Sequence, residues 1–155
     1  MEKEIIQKIL KGDEYKYFDE YLNNLRLDCK SKCFEYNTSY ENNPKNQRNF
    51  IKSIINTKTD NFYINKKFNS NFVKNIYIGD NFYSSFNLTI IDENLVSFGD
   101  NIYLGPNCTF DTINVPLEIT KRAERIISSK EIKIGNNVYF EGAIKVSSGV
   151  SNYRR

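Results

Sequence analysis

The chain contains no histidine, and this absence limits the chemistry open to it. With 155 residues and no imidazole, it has no histidine general base and no histidine metal ligand. Tryptophan is also absent, while 11 tyrosines and 11 phenylalanines provide much of the apolar material for a core. The three cysteines are an odd number and few, which favours a reducing compartment and predicts a cytoplasmic location.

Long apolar runs and an excess of charge of one sign are missing as well. The longest apolar stretch, around residues 88–91, is far shorter than the roughly 20 residues of a membrane-spanning helix, so no membrane association is predicted. The opening residues 1–4 are acidic and basic and do not form a signal peptide. Basic residues number 22 against 19 acidic ones and are spread along the chain, which argues against a nucleic-acid partner.

A six-residue phrase occurs three times in the second half of the chain. Residues 78–83, 98–103 and 134–139 are IGDNFY, FGDNIY and IGNNVY. Such hexapeptide repeats predict a parallel β-helix, in which three hexads form one triangular coil. We expect the glycine or asparagine after each inward residue to serve a corner with positive φ. Counting hexads onward predicts these inward side chains: Ile78, Ser84, Ile90, Phe98, Leu104, Phe110, Ile134, Phe140 and Val146.

The chain changes in character near residue 57. Residues 1–57 have helical periodicity and predict a helical N-terminal cap, in which Asp19 caps the second helix. Residues 58–155 are rich in β-branched, aromatic, glycine and asparagine residues, which is typical of strands and turns. The hexad rhythm is lost at about 111–131, and a loop extruded from the β-helix is predicted there.

Phrases along nearly the whole chain form one ordered set. They are KILKGDEY at 8–15, CFEYN at 33–37, NIYIGDNF at 75–82, GDN at 99–101, LGPN at 104–107 and IKIGNNV at 132–138. In order and spacing this set resembles the galactoside and maltose O-acetyltransferases. The resemblance implies a mainly β fold, a left-handed parallel β-helix incomplete at the C-terminus and preceded by a helical cap. It also implies acetyl transfer from acetyl-CoA to a sugar hydroxyl, in a homotrimer.

The resemblance further implies three substrate-binding residues. They are Arg26 from the helical cap and Asn87 and Asp92 from the early coils. Paired donors and acceptors suit hydroxyl recognition, and a carboxylate suits a sugar diol. Taken without the resemblance, the same residues leave a second interpretation open, in which Arg26 is a solvated helix charge and the other two are corner and turn residues.

For acetyl-CoA, the resemblance implies cofactor-binding residues at Tyr139 and Gly142. Tyr139 stands where the family has a tryptophan, and Glu141 replaces a family glycine where the pantetheine arm would pass. Four basic residues could either meet a CoA phosphate or form a solvated loop face: Arg122, Arg125, Lys130 and Lys133.

The chain departs from the family at the catalytic base. Val115 occupies the position of the histidine that removes the proton from the acceptor hydroxyl, and Ile127 occupies that of the glutamate that orients this histidine. Neither side chain accepts a proton, so the sequence predicts no catalytic residue. Asp111 and Glu118 flank the position, but a carboxylate becomes an effective base only when burial raises its pKa.

Two functions from different classes therefore remain open. The first is a sugar O-acetyltransferase whose turnover is impaired by Val115. The alternative is a non-catalytic hexapeptide-repeat scaffold or sugar-binding pseudoenzyme. No metal site is predicted, because Cys29 and Cys33, four residues apart on a helix, are better explained by core packing than by metal binding, as is Cys108.

Overall fold

The computed structural model describes residues 2–40 and 43–152. The helices are Glu2–Leu10 (α1), Glu20–Thr38 (α2), Pro44–Ile54 (α3) and Ile119–Ala123 (α4). The strands are Tyr15–Lys16 (β1), Phe62–Ile64 (β2), Phe68–Ser70 (β3), Ile76–Tyr77 (β4), Phe82–Ser84 (β5), Leu88–Ile91 (β6), Val96–Phe98 (β7), Ile102–Leu104 (β8), Thr109–Asp111 (β9), Ile113–Asn114 (β10), Ile126–Ser129 (β11), Ile132–Ile134 (β12), Val138–Phe140 (β13), Lys145–Val146 (β14) and Ser151–Asn152 (β15). None of the helices in these ranges combines the length and hydropathy needed to cross a membrane.

Helix α2 begins where the sequence predicts. The Asp19 side chain accepts a hydrogen bond of 3.0 Å from the Leu22 amide, which satisfies one of the free N–H groups of the first turn. Helix α3 begins in the same manner, with Asn43 as the cap and Pro44 as its first residue. The buried face of α2 carries an apolar stripe that ends at Tyr36, and this stripe packs against the prism.

Three parallel sheets form the faces of the prism. Their strand orders are β4-β7-β12-β15, β2-β5-β8-β13 and β3-β6-β9-β14. Phe82 pairs with Ile102, and Ile102 pairs with Val138, so successive coils are offset by 20 and then by 36 positions. The spacing of the repeated phrases thus matches the strand register.

Inward side chains form the core. Of the nine predicted, Phe140 is half-buried and the other eight are buried. Phenylalanine rings on different coils make contact, with centroids 4.9 Å apart for Phe98 and Phe110 and 5.9 Å apart for Phe110 and Phe140. The hexad count therefore identified part of the core of the prism, which also contains buried side chains outside the count, such as Phe82, Ile102 and Val138.

The corners differ from the expectation for glycine. Asn81 and Asn101 adopt positive φ, at 56° and 59°, and their side chains are joined by a hydrogen bond of 3.1 Å. Gly79 and Gly99 do not adopt positive φ, so that part of the prediction is wrong. Glycine is needed there for close approach, because a Cβ on Gly79 would lie 2.6 Å from the carbonyl oxygen of Gly99.

The segment predicted as an extruded loop has its own secondary structure. Strands β10 and β11 pair antiparallel, with α4 between them. Strand β1 pairs antiparallel with the other edge of β11, placing Tyr15 opposite Ile127. The N-terminal segment and the loop are therefore joined in one small sheet beside the prism.

We expect Phe110→Ala to lower the free energy of unfolding by about 3–5 kcal/mol, because it removes a fully buried ring that packs between two others. Phe86→Ala is the matched control, since Phe86 is 59% exposed and its loss should cost about 0.5 kcal/mol or less. Urea unfolding with an unchanged m-value measures both. Equal losses would contradict the assignment of Phe110 to the core.

Candidate functional site

A buried ion pair joins the helical cap to a corner of the prism. Arg26 on α2 donates from Nε to Oε2 of Glu93 over 2.9 Å and from Nη2 to Oε1 over 2.6 Å. Glu93 follows β6. The exposed fraction is 8% for Arg26 and 1% for Glu93. Two parallel hydrogen bonds of this kind are the strong geometry for arginine and carboxylate.

The remaining contacts of Arg26 hold the guanidinium in place. Its Nη1 donates to the Tyr17 carbonyl oxygen over 2.6 Å and to Oδ1 of Asn23 over 3.1 Å. The guanidinium carbon lies 3.8 Å from the centre of the Tyr17 ring, within cation–π distance. Burial acts to lower the pKa of Arg26, but the hydrogen bond and charge of Glu93 outweigh it and raise this pKa, so the cation persists.

Glu93 has two further donors. The Tyr15 hydroxyl donates to Oε1 over 2.8 Å, and Nδ2 of Asn71 donates to Oε2 over 2.8 Å. Burial, and then the Glu93 charge, raise the pKa of Tyr15, so this hydroxyl stays protonated. Sequence reasoning missed Glu93 and the role of Tyr15. The available signals were the position of Glu93 directly after Asp92 and the presence of Tyr15 in a phrase that resembles the family.

Asp92 is fully buried beside this pair but points to a different set of donors. Its carboxylate accepts hydrogen bonds from the Ser70 hydroxyl at 2.6 Å and from the Phe72 and Asn75 amides at 2.9 and 3.2 Å, and the Asn71 amide adds a fourth at 3.2 Å. Burial raises the pKa of Asp92 to about 6, although these hydrogen bonds act in the opposite direction.

Asn87 lies apart from Arg26 and Asp92. It is an exposed corner residue with φ of 61°, and its Nδ2 donates to Oδ1 of Asn107 over 3.0 Å. This is the geometry expected of a coil-corner residue. Of the three residues predicted to bind substrate, the structure thus brings Arg26 and Asp92 into one hydrogen-bonded cluster through Asn71 and leaves Asn87 in a corner ladder.

A cavity of about 310 Å³ opens beside Arg26. Its lining combines two aromatic rings, Tyr17 and Phe18, with the polar side chains of Ser70 and Asn71. A larger groove of about 780 Å³ follows the Gly79 corner, but none of the predicted site residues line it. The cavity beside Arg26 is therefore the candidate site for a small hydroxylated ligand, since aromatic faces and directed hydrogen-bond donors meet there.

The position at which the resemblance implies a catalytic histidine lies on the surface. Val115 follows β10 and is 58% exposed, whereas Ile127 lies in β11 and is 7% exposed. The flanking carboxylates are ion-paired, Asp111 with Lys145 at 3.7 Å and Glu118 with Lys121 at 3.5 Å. The Glu118 side chain is 66% exposed and lacks the burial that a substitute base requires. The Asp111 side chain is 19% exposed, and its two oxygens contact the Lys145 ammonium and the Ile113 amide.

Tyr139 and Gly142 lie on the last described coil. Tyr139 is 63% exposed and ends a column of four tyrosines, whose ring centroids are 6.3, 4.9 and 5.2 Å apart from Tyr63 through Tyr83 and Tyr103. Gly142 has φ of 126°, and a Cβ there would lie 2.6 Å from the Pro106 carbonyl oxygen, so the fold itself requires glycine.

The thiols and loop cations have local partners. Cys29, Cys33 and Cys108 are buried and free, and Sγ of Cys29 donates to the Ser70 carbonyl oxygen over 3.3 Å. Within residues 2–40 and 43–152, no group of three or more potential metal ligands of the His, Cys, Asp and Glu types occurs. Arg122 donates to the Leu117 carbonyl oxygen over 2.6 Å, which places this cation on its own loop.

A family model matches the N-terminal part of the chain, and individual relatives match nearly all of it. Residues 8–58 match the maltose acetyltransferase hexapeptide capping motif. The chain is 30% identical over 151 residues to galactoside O-acetyltransferase of Escherichia coli, covering 97% of this chain and 74% of that protein. It is 32% identical over 148 residues to a putative acetyltransferase of Saccharomyces cerevisiae, covering 95% and 76%.

Solved structures agree with the sequence relatives. A galactoside acetyltransferase in complex with coenzyme A has a TM-score of 0.83 at 30% identity, covering 94% of this chain and 72% of that one. A maltose O-acetyltransferase from Clostridium difficile 630 has a TM-score of 0.88 at 24% identity, covering 94% and 78%. The fold is therefore that of hexapeptide-repeat acetyltransferases, and the predicted left-handed parallel β-helix with a helical cap is confirmed. The chain belongs to the galactoside and maltose O-acetyltransferase family.

We expect Arg26→Met to lower the free energy of unfolding by about 3–5 kcal/mol, because it leaves the buried Glu93 carboxylate without its cation. Glu93→Gln should cost a similar amount by leaving the cation unpaired. The double variant should cost no more than the worse single variant, since both charges are then gone. Lys121→Met is the control, because the Lys121–Glu14 pair is exposed and worth at most about 1 kcal/mol. Additive losses in urea unfolding would contradict a coupled pair.

We expect the stability of the protein to depend on pH through Asp92. Because its folded-state pKa is raised above the value near 4 of an exposed aspartate, its stabilising contribution is full at low pH and is lost as the pH rises from about 4 through about 6. The stability difference between the parent protein and Asp92→Asn should fall by about 3 kcal/mol between pH 4 and pH 8. Urea unfolding across this range measures it, with Asp28→Asn, an exposed carboxylate, as the control. A difference independent of pH would refute the burial argument.

Proposed function

We propose that this protein binds a sugar and acetyl-CoA but transfers the acetyl group slowly, because it lacks the general base. The observation that carries the proposal is Val115, an exposed aliphatic side chain at the position where the resemblance implies a histidine, in a chain without histidine. Acetyl transfer requires the sugar oxygen to lose its proton as it attacks the thioester carbonyl, and the thiolate then leaves. A positioned base contributes roughly 10²–10⁴-fold to such a step.

The cavity beside Arg26 supports sugar binding. Tyr17 and Phe18 present aromatic surface, and Ser70 and Asn71 present groups that pair with hydroxyls. Arg26 uses four of its five N–H donors on described residues, which leaves one donor at the 9%-exposed side chain. The relatives named for galactoside and maltose acetylation favour a sugar as the acceptor.

The relative solved with coenzyme A supports acetyl-CoA as the co-substrate. We place the thioester beside the exposed end of the tyrosine column, where Tyr139 is 63% exposed and Gly142 lies on the same coil. In this proposal the exposed apolar side chains of the loop at residues 115–119, namely Val115, Leu117 and Ile119, pack against a neighbouring copy in a homotrimer. A monomeric mass in solution would reject the trimer.

A second candidate function is that of a sugar-binding scaffold without catalysis. Ile127 favours it, because this residue is buried and paired opposite Tyr15 in the small sheet, so its position serves packing. The two candidates differ only in turnover, and a measurement of CoA release separates them.

We expect the parent protein to release little or no CoA thiol from acetyl-CoA with galactoside or maltose as acceptor, and Val115→His to raise the rate by roughly 10²-fold or more. A thiol-reactive chromophore measures the release. Thr120→His is the control, since Thr120 is exposed, lies in the short helix of the same loop and is outside the proposed trimer contact. Parent turnover equal to that of Val115→His would refute the missing-base proposal. A thermal shift with CoA alone tests binding of the co-substrate, because a ligand of the native state raises its apparent stability.

A further inference from the structure

Four donors in one short segment, residues 70–75, form hydrogen bonds to the Asp92 carboxylate. This segment forms a turn that contains a positive φ at Val73, where a β-branched side chain is strained. The bonding runs in both directions, since Nδ2 of Asn75 donates back to the Asp92 carbonyl oxygen over 2.7 Å. The Asp92 carboxylate therefore holds residues 70–75 in a turn that the positive φ of Val73 disfavours.

The turn forms one wall of the cavity beside Arg26. Ser70 and Asn71 line the cavity, and the same two residues bond to the Asp92 carboxylate. Asn71 also donates from Nδ2 to Oε2 of Glu93, the oxygen that accepts from Nε of Arg26. One chain of contacts thus runs from Asp92 through Asn71 to Glu93 and on to the guanidinium.

Asp92 itself is fully buried, so a ligand in the cavity does not reach it in this conformation. The hydrogen bonds that reach its carboxylate within the described residues are made by neutral donors of the turn, and none comes from a lysine or arginine. Keeping a carboxylate in such a place costs stability, and an apolar residue would fill the volume at lower cost. Strained and costly groups that persist beside a cavity point to a role in shaping it.

We infer that Asp92 is a positioning residue for the ligand cavity, one that fixes the Ser70 and Asn71 wall, and through Asn71 the Arg26 guanidinium, without touching the ligand. This inference rests on the proposed sugar binding at that cavity. It replaces direct sugar contact, the role that the resemblance implies for Asp92.

Asp92→Asn tests the inference, because the amide keeps the shape but presents N–H groups toward amide donors of the turn. Hydrogen exchange measured by NMR without sugar should become at least tenfold faster at the Phe72 and Asn75 amides and at Nε of Arg26. Titration calorimetry with isopropyl thiogalactoside and with maltose should show binding weakened about tenfold. Gln47→Met is the control, since it removes a buried amide that accepts a hydrogen bond from the Tyr63 hydroxyl, and neither residue lines the cavity. It should leave the exchange at Arg26 and the sugar affinity unchanged.

Each of the other outcomes contradicts one part of the inference or the proposed function. Weaker sugar binding with unchanged exchange at Phe72 and Asn75 would mean that Asp92 contacts the sugar directly. Faster exchange in the turn with unchanged Arg26 exchange and unchanged affinity would mean that the turn and the cavity are not coupled. If the parent protein binds no sugar, the proposed function is refuted. The positioning role of Asp92 would then be tested only by hydrogen exchange at Nε of Arg26 in Asp92→Asn.

Discussion

Rows of inward side chains hold the coils together, and the cap, the corners and the loop are attached to those rows. Phe82, Ile102 and Val138 lie in one such row, although the second step along the chain is nearly twice as long as the first. Side chains alternate between the two faces of a strand, so a slip by one residue would expose a whole row. The core thereby enforces register across a long excursion, and the segment between β9 and β12 is free to form a hairpin and a short helix outside the prism.

The joint between cap and prism is apolar along the α2 stripe but polar at the corner that holds Arg26 and Glu93. Arg26 and Glu93 lose their hydration on burial, and their bidentate contact offsets that cost only because the other polar groups around them are also paired. Asp92 is buried next to them and hydrogen-bonded, but no lysine or arginine among residues 2–40 and 43–152 bonds to its carboxylate. Three charged groups at one corner, beside a cavity, are more readily explained by ligand binding than by stability.

Fold and chemistry are separable in this chain because they depend on different numbers of residues. The prism relies on many inward positions spread over the coils, so the loss of any one leaves the architecture recognisable. In the proposed function, proton abstraction relies on a single basic atom, which the side chain of Val115 does not provide. Membership of an acetyltransferase family therefore states the ancestry of the site, while the side chains present decide what the site does.

The sequence alone determined those features of the protein that a local repeat or a single residue type specifies. The hexad period identified the inward positions, Asp19 identified the start of α2, and composition established the lack of a histidine base. The positive φ expected at Gly79 occurs at Asn81 instead, because close approach of two coils and positive φ both favour glycine, and the sequence does not distinguish the two requirements. Tertiary structure alone decided the partners of the buried charges. Glu93 meets Arg26 and Tyr15 across 67 and 78 residues, and such contacts follow from how cap and coils pack in space, which no local period encodes.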